Sequence, residues 1–234
     1  MKKYKNFITS GCSFTSGVVN ATNLAELNDQ AFSWPHYCLL EMGLENSNFL
    51  NFAMSGGGNI AAFNNLVYYI ESSNLIDASD TLIGINLTGL DRYDTICHTT
   101  HARSNYDLSA RDVKEKLKFN WIIHGNNREK LDRGITELQI HNCLCILQGI
   151  TYLESKNFDY FFMLMNDAIY YTAPDWFQKF LDARQHRWVK FGSIVGMAEF
   201  VMQQQVTTPD GHPSKVGHKM LSKQVIAHLK KFAE

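Results

Sequence analysis

Short apolar runs alternate with longer stretches of helical period along most of this chain, and no other feature limits its fold as much. The runs at 5–9 (KNFIT), 47–53 (SNFLNFA), 80–87 (DTLIGINL) and 158–165 (FDYFFMLM) have strand length. Between them, 33–43, 59–73 and 134–156 read as helices. Pro35 is tolerated in the first turn of one, and Ile60, Phe63, Leu66, Val67 and Ile70 repeat at helical spacing in the next. The run at 80–87 is apolar almost throughout, which predicts a strand covered on both faces. A helix near 174–184 and a fifth strand near 193–201 follow. A closing amphipathic helix is expected to turn Val216, Met220, Leu221, Val225 and Leu229 inward. Strands that alternate with helices predict an α/β fold, a three-layer αβα sandwich around a parallel sheet of about five strands.

One stretch interrupts the rhythm. Residues 92–132 are polar and mixed, and too long for an ordinary connection. They are expected to form a lid or insertion within a single domain spanning 1–234, with a disordered or merely decorative excursion as the alternative.

The 234 residues suffice for one well-buried core, and 45% hydrophobic with 19% charged residues excludes a disordered chain. A formal net charge of −1 without a basic block speaks against binding nucleic acid. No apolar stretch approaches the roughly 20 residues needed to span a bilayer, and the N-terminus lacks a signal-peptide core. Five cysteines without framework spacing fit a reducing compartment, so a cytoplasmic location is expected. Cys143-x-Cys145 is too tight for a usual zinc pair, and His98-x-x-His101 has no second pair nearby; no metal and no cofactor are expected.

In a doubly wound sheet, ligands sit beyond the carboxyl ends of the strands. The turns expected there are GCSFTSG (11–17), NFAMSGGGN (51–59) and GINLTGLDR (84–92), with TPDGHPSKVGH (208–218) leading into the last helix. Ser13 in the first of these is either a turn residue or a nucleophile held at a strand end. A serine hydroxyl attacks only when a neighbouring base takes its proton, and by itself His212 in the last turn reads as a polar residue in a Pro-containing turn. Arg92 after the third strand is a candidate for an anionic substrate group or a surface ion pair, and His218 for packing or capping.

Taken together, the four stretches resemble the blocks of the SGNH/GDSL hydrolase superfamily, in its order and over almost the whole chain. GCS near the N-terminus and DGHPSxxGH before the final helix carry most of the likeness. The resemblance implies a flavodoxin-like sheet and a serine esterase, O-acetyl-type deacylase or acyltransferase working through an acyl-enzyme. It makes Ser13 the nucleophile, His212 the general base and Asp210 the residue that orients the imidazole. The oxyanion donors would be the backbone of Ser13, Gly56 and Asn86. A small-molecule or carbohydrate ester is the implied substrate. The sequence departs from the pattern three times: Cys12 replaces an aspartate, Leu87 replaces another after Asn86, and Asp210-x-His212 is one residue shorter than usual. Two alternatives stay open, a flavodoxin-like nucleotide or flavin binder using SFTSG as a phosphate loop, and a catalytically degenerate binding protein of the same fold.

Overall fold

The computed structural model describes residues 2–16, 33–44, 48–54, 56–73, 76–92, 94–97, 120–123 and 135–231. Its centre is a four-stranded parallel sheet of β1 (Asn6–Ser10), β2 (Phe49–Asn51), β3 (Thr81–Leu87) and β6 (Asp159–Leu164), in the spatial order β2-β1-β3-β6. Two further strands, β4 (Asp94–Cys97) and β5 (Asn120–Ile123), form a separate antiparallel pair within the polar insertion. Positions 93, 98–119 and 124–132 of that insertion, among them His98, His101 and His124, lie outside the described residues.

The alternation of side chains along the strands builds the two outer layers. Ile8, Ile83, Ile85, Tyr160 and Phe162 face one side, where they meet α3 (Asn59–Ser72) and α4 (Ile135–Ser155) through Phe63, Leu66, Ile146 and Ile150. Phe7, Leu82, Phe161 and Met163 face the other side, against α2 (Trp34–Met42) and the closing helix α8 (Lys215–Lys231). Every residue of β3 is buried, as its apolar run predicts for a central strand. Gly84 serves this packing, because a Cβ there would lie 2.7 Å from the ring of Phe161.

Near the C-terminus two expectations are corrected. No strand occupies 193–201. Single bridges join Trp188 and Gly196 to β6, and Met197–Gln203 is helix α7, following the short helices α5 (Ala168–Tyr171) and α6 (Asp175–Asp182). Gly192, at φ +71°, sits in a tight turn closed between Phe191 and Ile194, which breaks the edge before a fifth strand can form. In α8 the buried face is also rotated from expectation. Val216 is 58% exposed, whereas His218, Ser222 and Ile226 are buried beside Leu221, Val225 and Leu229. Among the described residues no helix is long and apolar enough to cross a membrane.

Candidate active site

The turns after β1 and β2 are joined by backbone before any side chain is considered. Phe52 N–H donates to Thr9 O at 2.8 Å and Met54 N–H to Gly11 O at 3.0 Å, which extends the parallel pairing past the strand ends. Gly11 has φ +149°, and a Cβ on it would meet Asn86 Cβ at 2.8 Å. Only glycine fits that bend. Ser13 then opens a single helical turn, α1 (Ser13–Ser16), in which Cys12 O accepts from the amides of Thr15 and Ser16. Asn51, at the end of β2, holds this turn by donating to Thr15 O at 3.1 Å.

His212 reaches the same place from the other end of the chain. Its Nε2 lies 2.8 Å from Ser13 Oγ, across 199 positions of sequence. Ser13 is only 5% exposed, and the Phe14 ring lies against the imidazole at 5.2 Å between centroids. The 207–213 turn is closed by a bridge between Thr207 and Pro213 and by Thr208 N–H donating to His212 O at 2.8 Å.

Asp210 stands behind the imidazole. Its Oδ2 is 3.2 Å from His212 Nδ1, within ion-pair distance. The contact does not have hydrogen-bond geometry, and Nδ1 is a buried nitrogen without a hydrogen-bond partner among the described residues. Distance and direction therefore disagree, and direction decides whether a hydrogen bond exists. The other oxygen, Oδ1, accepts from the Thr208 hydroxyl and, at 3.4 Å, from His212 N–H. The Thr208 hydroxyl does most to hold the Asp210 carboxyl below its ordinary range, and the nearby His212 adds to this. Asp210 is thus an anion aimed at the ring from a spacing one residue short.

The expected oxyanion residues lie in two turns and a strand. Gly56, at φ +74°, lies in the second turn, with Gly57 N–H donating to Met54 O at 2.9 Å. Asn86 is fully buried within β3 and turns its Nδ2 toward Cys12 Sγ at 3.7 Å. The thiol of Cys12 also lies 3.6 Å from Met165 Sδ, so it fills the space beneath the nucleophile turn. Arg92 is not in a surface ion pair with any described residue. Its Nη1 donates to Gly57 O at 2.8 Å. His218 is buried and accepts Trp34 N–H through Nδ1 at 3.2 Å, at the start of α2. No cluster of metal-ligating side chains occurs among the described residues.

The sequence reading passed over Thr208, Asn51, Asp94 and Asn142. Polar residues of these kinds are frequent in any chain, and only their burial sets them apart, which an apolar pattern does not report for a lone polar residue in a strand, a helix or a turn.

No family model matches the sequence, and no curated protein does. Solved structures do. A member of the lipolytic protein G-D-S-L family from Veillonella parvula is 14% identical, with a TM-score of 0.51 over 95% of this chain and 97% of that one. A GDSL-like lipase from Parabacteroides merdae is 15% identical, with a TM-score of 0.50 over 97% and 96%. A family two carbohydrate esterase from Clostridium thermocellum is 10% identical, with a TM-score of 0.50; 97% of this chain matches 63% of that one. With its four parallel strands layered between helices, this chain has the fold of the SGNH/GDSL hydrolases.

Proposed function

We propose that this protein is a serine hydrolase that cleaves carboxylic esters through an acyl-enzyme. The observation that carries the reading is the 2.8 Å contact between Ser13 Oγ and His212 Nε2. Function is argued from a site and not from a fold. A hydroxyl and an imidazole brought together at the carboxyl rim of a parallel sheet have the geometry of an activated nucleophile.

In this reading Ser13 Oγ attacks the ester carbonyl carbon while its proton passes to His212 Nε2. The carbonyl π pair moves onto oxygen, and the backbone N–H groups of Ser13 and Gly56 receive the oxyanion. Collapse breaks the bond to the alcohol, which leaves with the proton from His212. Water then adds to the acyl-serine with His212 taking its proton, the bond between the acyl carbon and Ser13 Oγ breaks to release the carboxylic acid, and the imidazolium returns the proton to Oγ. The anion of Asp210 favours the imidazolium formed in both halves. Asn86, with its amide at the Cys12 thiol, supports the turn from below. For the substrate we favour O-acylated carbohydrate, because one protein of the same fold is a carbohydrate esterase.

Hydrolysis of p-nitrophenyl acetate by the wild type and by Ser13→Ala tests the proposal. Ser13→Ala is expected to lose at least about 1,000-fold in kcat, the scale seen when a triad nucleophile is removed. A fluorophosphonate is expected to label the wild type at Ser13 only. Equal hydrolysis by the two proteins sinks the esterase reading.

A further inference from the structure

We propose that Arg92 and Asp94 clamp one peptide of the glycine turn and so position the Gly56 N–H for the oxyanion. This rests on the esterase reading above and adds to it a positioning pair. Three successive glycines, Gly56 to Gly58, have no side chains with which to fix themselves, and glycine backbone is the least restricted of any residue. The structure supplies the restraint from outside. Arg92 Nη1 donates to Gly57 O at 2.8 Å, and Gly58 N–H donates to both carboxylate oxygens of Asp94, at 3.1 and 2.9 Å. That carbonyl and that N–H belong to the same planar peptide, so gripping both ends fixes its orientation. Both hydrogen bonds are charge-assisted, the stronger kind. The preceding amide, Gly57 N–H, is already held on Met54 O.

The clamp also reaches the nucleophile turn. Arg92 Nη2 lies 3.4 Å from Met165 Sδ, which lies 3.6 Å from Cys12 Sγ, one residue before Ser13. The guanidinium therefore holds the glycine turn directly and reaches the nucleophile turn through the Met165 side chain. A Cβ on Gly58 would come within 2.6 Å of Asp94 Oδ2, so the carboxylate approaches as closely as a glycine permits.

Arg92 is itself held by a buried amide network. Asn142 Nδ2 lies 2.9 Å from both Leu90 O and Arg92 O. Asn142 Oδ1 accepts from Asn59 Nδ2 at 3.1 Å, and Asn59 Oδ1 accepts Thr88 N–H at 2.9 Å. Both asparagines are buried, so the segment from Thr88 to Arg92 is pinned to α3 and α4. Satisfied networks of this kind specify one arrangement, because a buried amide left unpaired is costly.

The test compares wild type with Arg92→Met, Arg92→Lys and Asp94→Asn. It reads kcat and KM for p-nitrophenyl acetate and the affinity of a trifluoromethyl ketone, which forms a tetrahedral adduct with a reactive serine. Arg92→Met is expected to lower kcat about 10- to 100-fold with KM changed less than about threefold, the range for weakening one oxyanion donor. Ketone affinity should fall by the same factor as kcat/KM. Arg92→Lys, which keeps the charge and one donor, should recover part of the loss, and Asp94→Asn should lose about tenfold. A fall in kcat that only tracks the fraction of folded protein overturns the clamp, as does a raised KM with kcat intact. Should Arg92→Met fail to fold, Arg92→Lys and Asp94→Asn at wild-type kcat overturn it equally. Ser13-dependent hydrolysis in the wild type with all three variants as fast defeats only the clamp, whereas hydrolysis unaffected by Ser13→Ala defeats the reading beneath it.

Discussion

Two histidines six residues apart show how one side-chain type takes different parts according to its surroundings. His212 sits in a turn at the rim with Nε2 on Ser13 Oγ, whereas His218 is the fourth residue of a helix and wholly buried. Burial, aided by the nearby His212, pushes the His218 imidazole down to about 3. Its Nδ1 accepts the Trp34 amide, so the folded protein needs the neutral ring. The sign of the linkage follows. An unfolded chain protonates this histidine below about 6.5, while the folded one resists until about 3. Stability from this site is therefore complete above 6.5 and is lost as pH falls through that window, by up to about 1.4 kcal/mol per pH unit. His218→Gln keeps an acceptor for Trp34 N–H and does not titrate. Urea midpoints measured from pH 7 to 4 should fall less steeply for the variant than for the wild type, and parallel slopes would remove His218 from the acid response.

At the scale of elements, the fit of α3 against α4 turns on Gly149. A Cβ at this position would lie 2.0 Å from Phe63 Cδ1 and 2.5 Å from two more atoms of the ring. Alanine is the better helix former by about 1 kcal/mol, which alone would stabilise Gly149→Ala. Overpacking opposes this by about 1–3 kcal/mol, and Phe63 is buried with little room to give. The 2.0 Å approach puts the steric cost at the upper end, so it should win, with a net loss of up to about 2 kcal/mol read as a lower urea midpoint at unchanged slope. At the N-terminus of α3 stands Asp94 of β4, which accepts from Gly58 N–H and from Ala61 N–H at 3.1 Å. It caps α3 from another strand, because Gly58 at the N-cap has no side chain to do so. One carboxylate thus ends a helix, anchors β4 and holds the glycine turn.

For the whole molecule, the sheet is shared by both cores, and this makes them one cooperative unit. Ile83 and Ile85 of β3 point into one core and Leu82 into the other, so neither layer can leave without stripping the strand. Leu221→Ala in α8 should cost about 2–5 kcal/mol, the usual result of emptying a buried leucine site. Far-ultraviolet circular dichroism and tryptophan fluorescence should report one shifted midpoint, since Trp34 lies in the layer of α8 and Trp188 in the opposite one. Two separate transitions would mean that the layers unfold independently.

The layered architecture was legible in the sequence because its signal is local. The apolar run of β3 and the helical repeat of Ile60, Phe63 and Leu66 follow from burial on two faces or on one. The glycine turns and the histidine before the last helix were legible as motifs for the same reason. The broken edge at Gly192 was not, because a tight turn and a short strand draw on the same residue types. Nor was the rotation of α8 that buries His218 and exposes Val216, since a helix with apolar residues on more than one side leaves its inward face to its neighbours. The parts of Arg92, Asp94, Asn142 and Thr208 were beyond any local reading. Each is set by a partner brought close in space, such as Gly57 for Arg92, 35 positions away in sequence. The sequence alone determined which layers form and which residues could react. Only the tertiary structure decided which of them meet, because a hydrogen bond depends on distance and direction between groups that the chain order leaves apart.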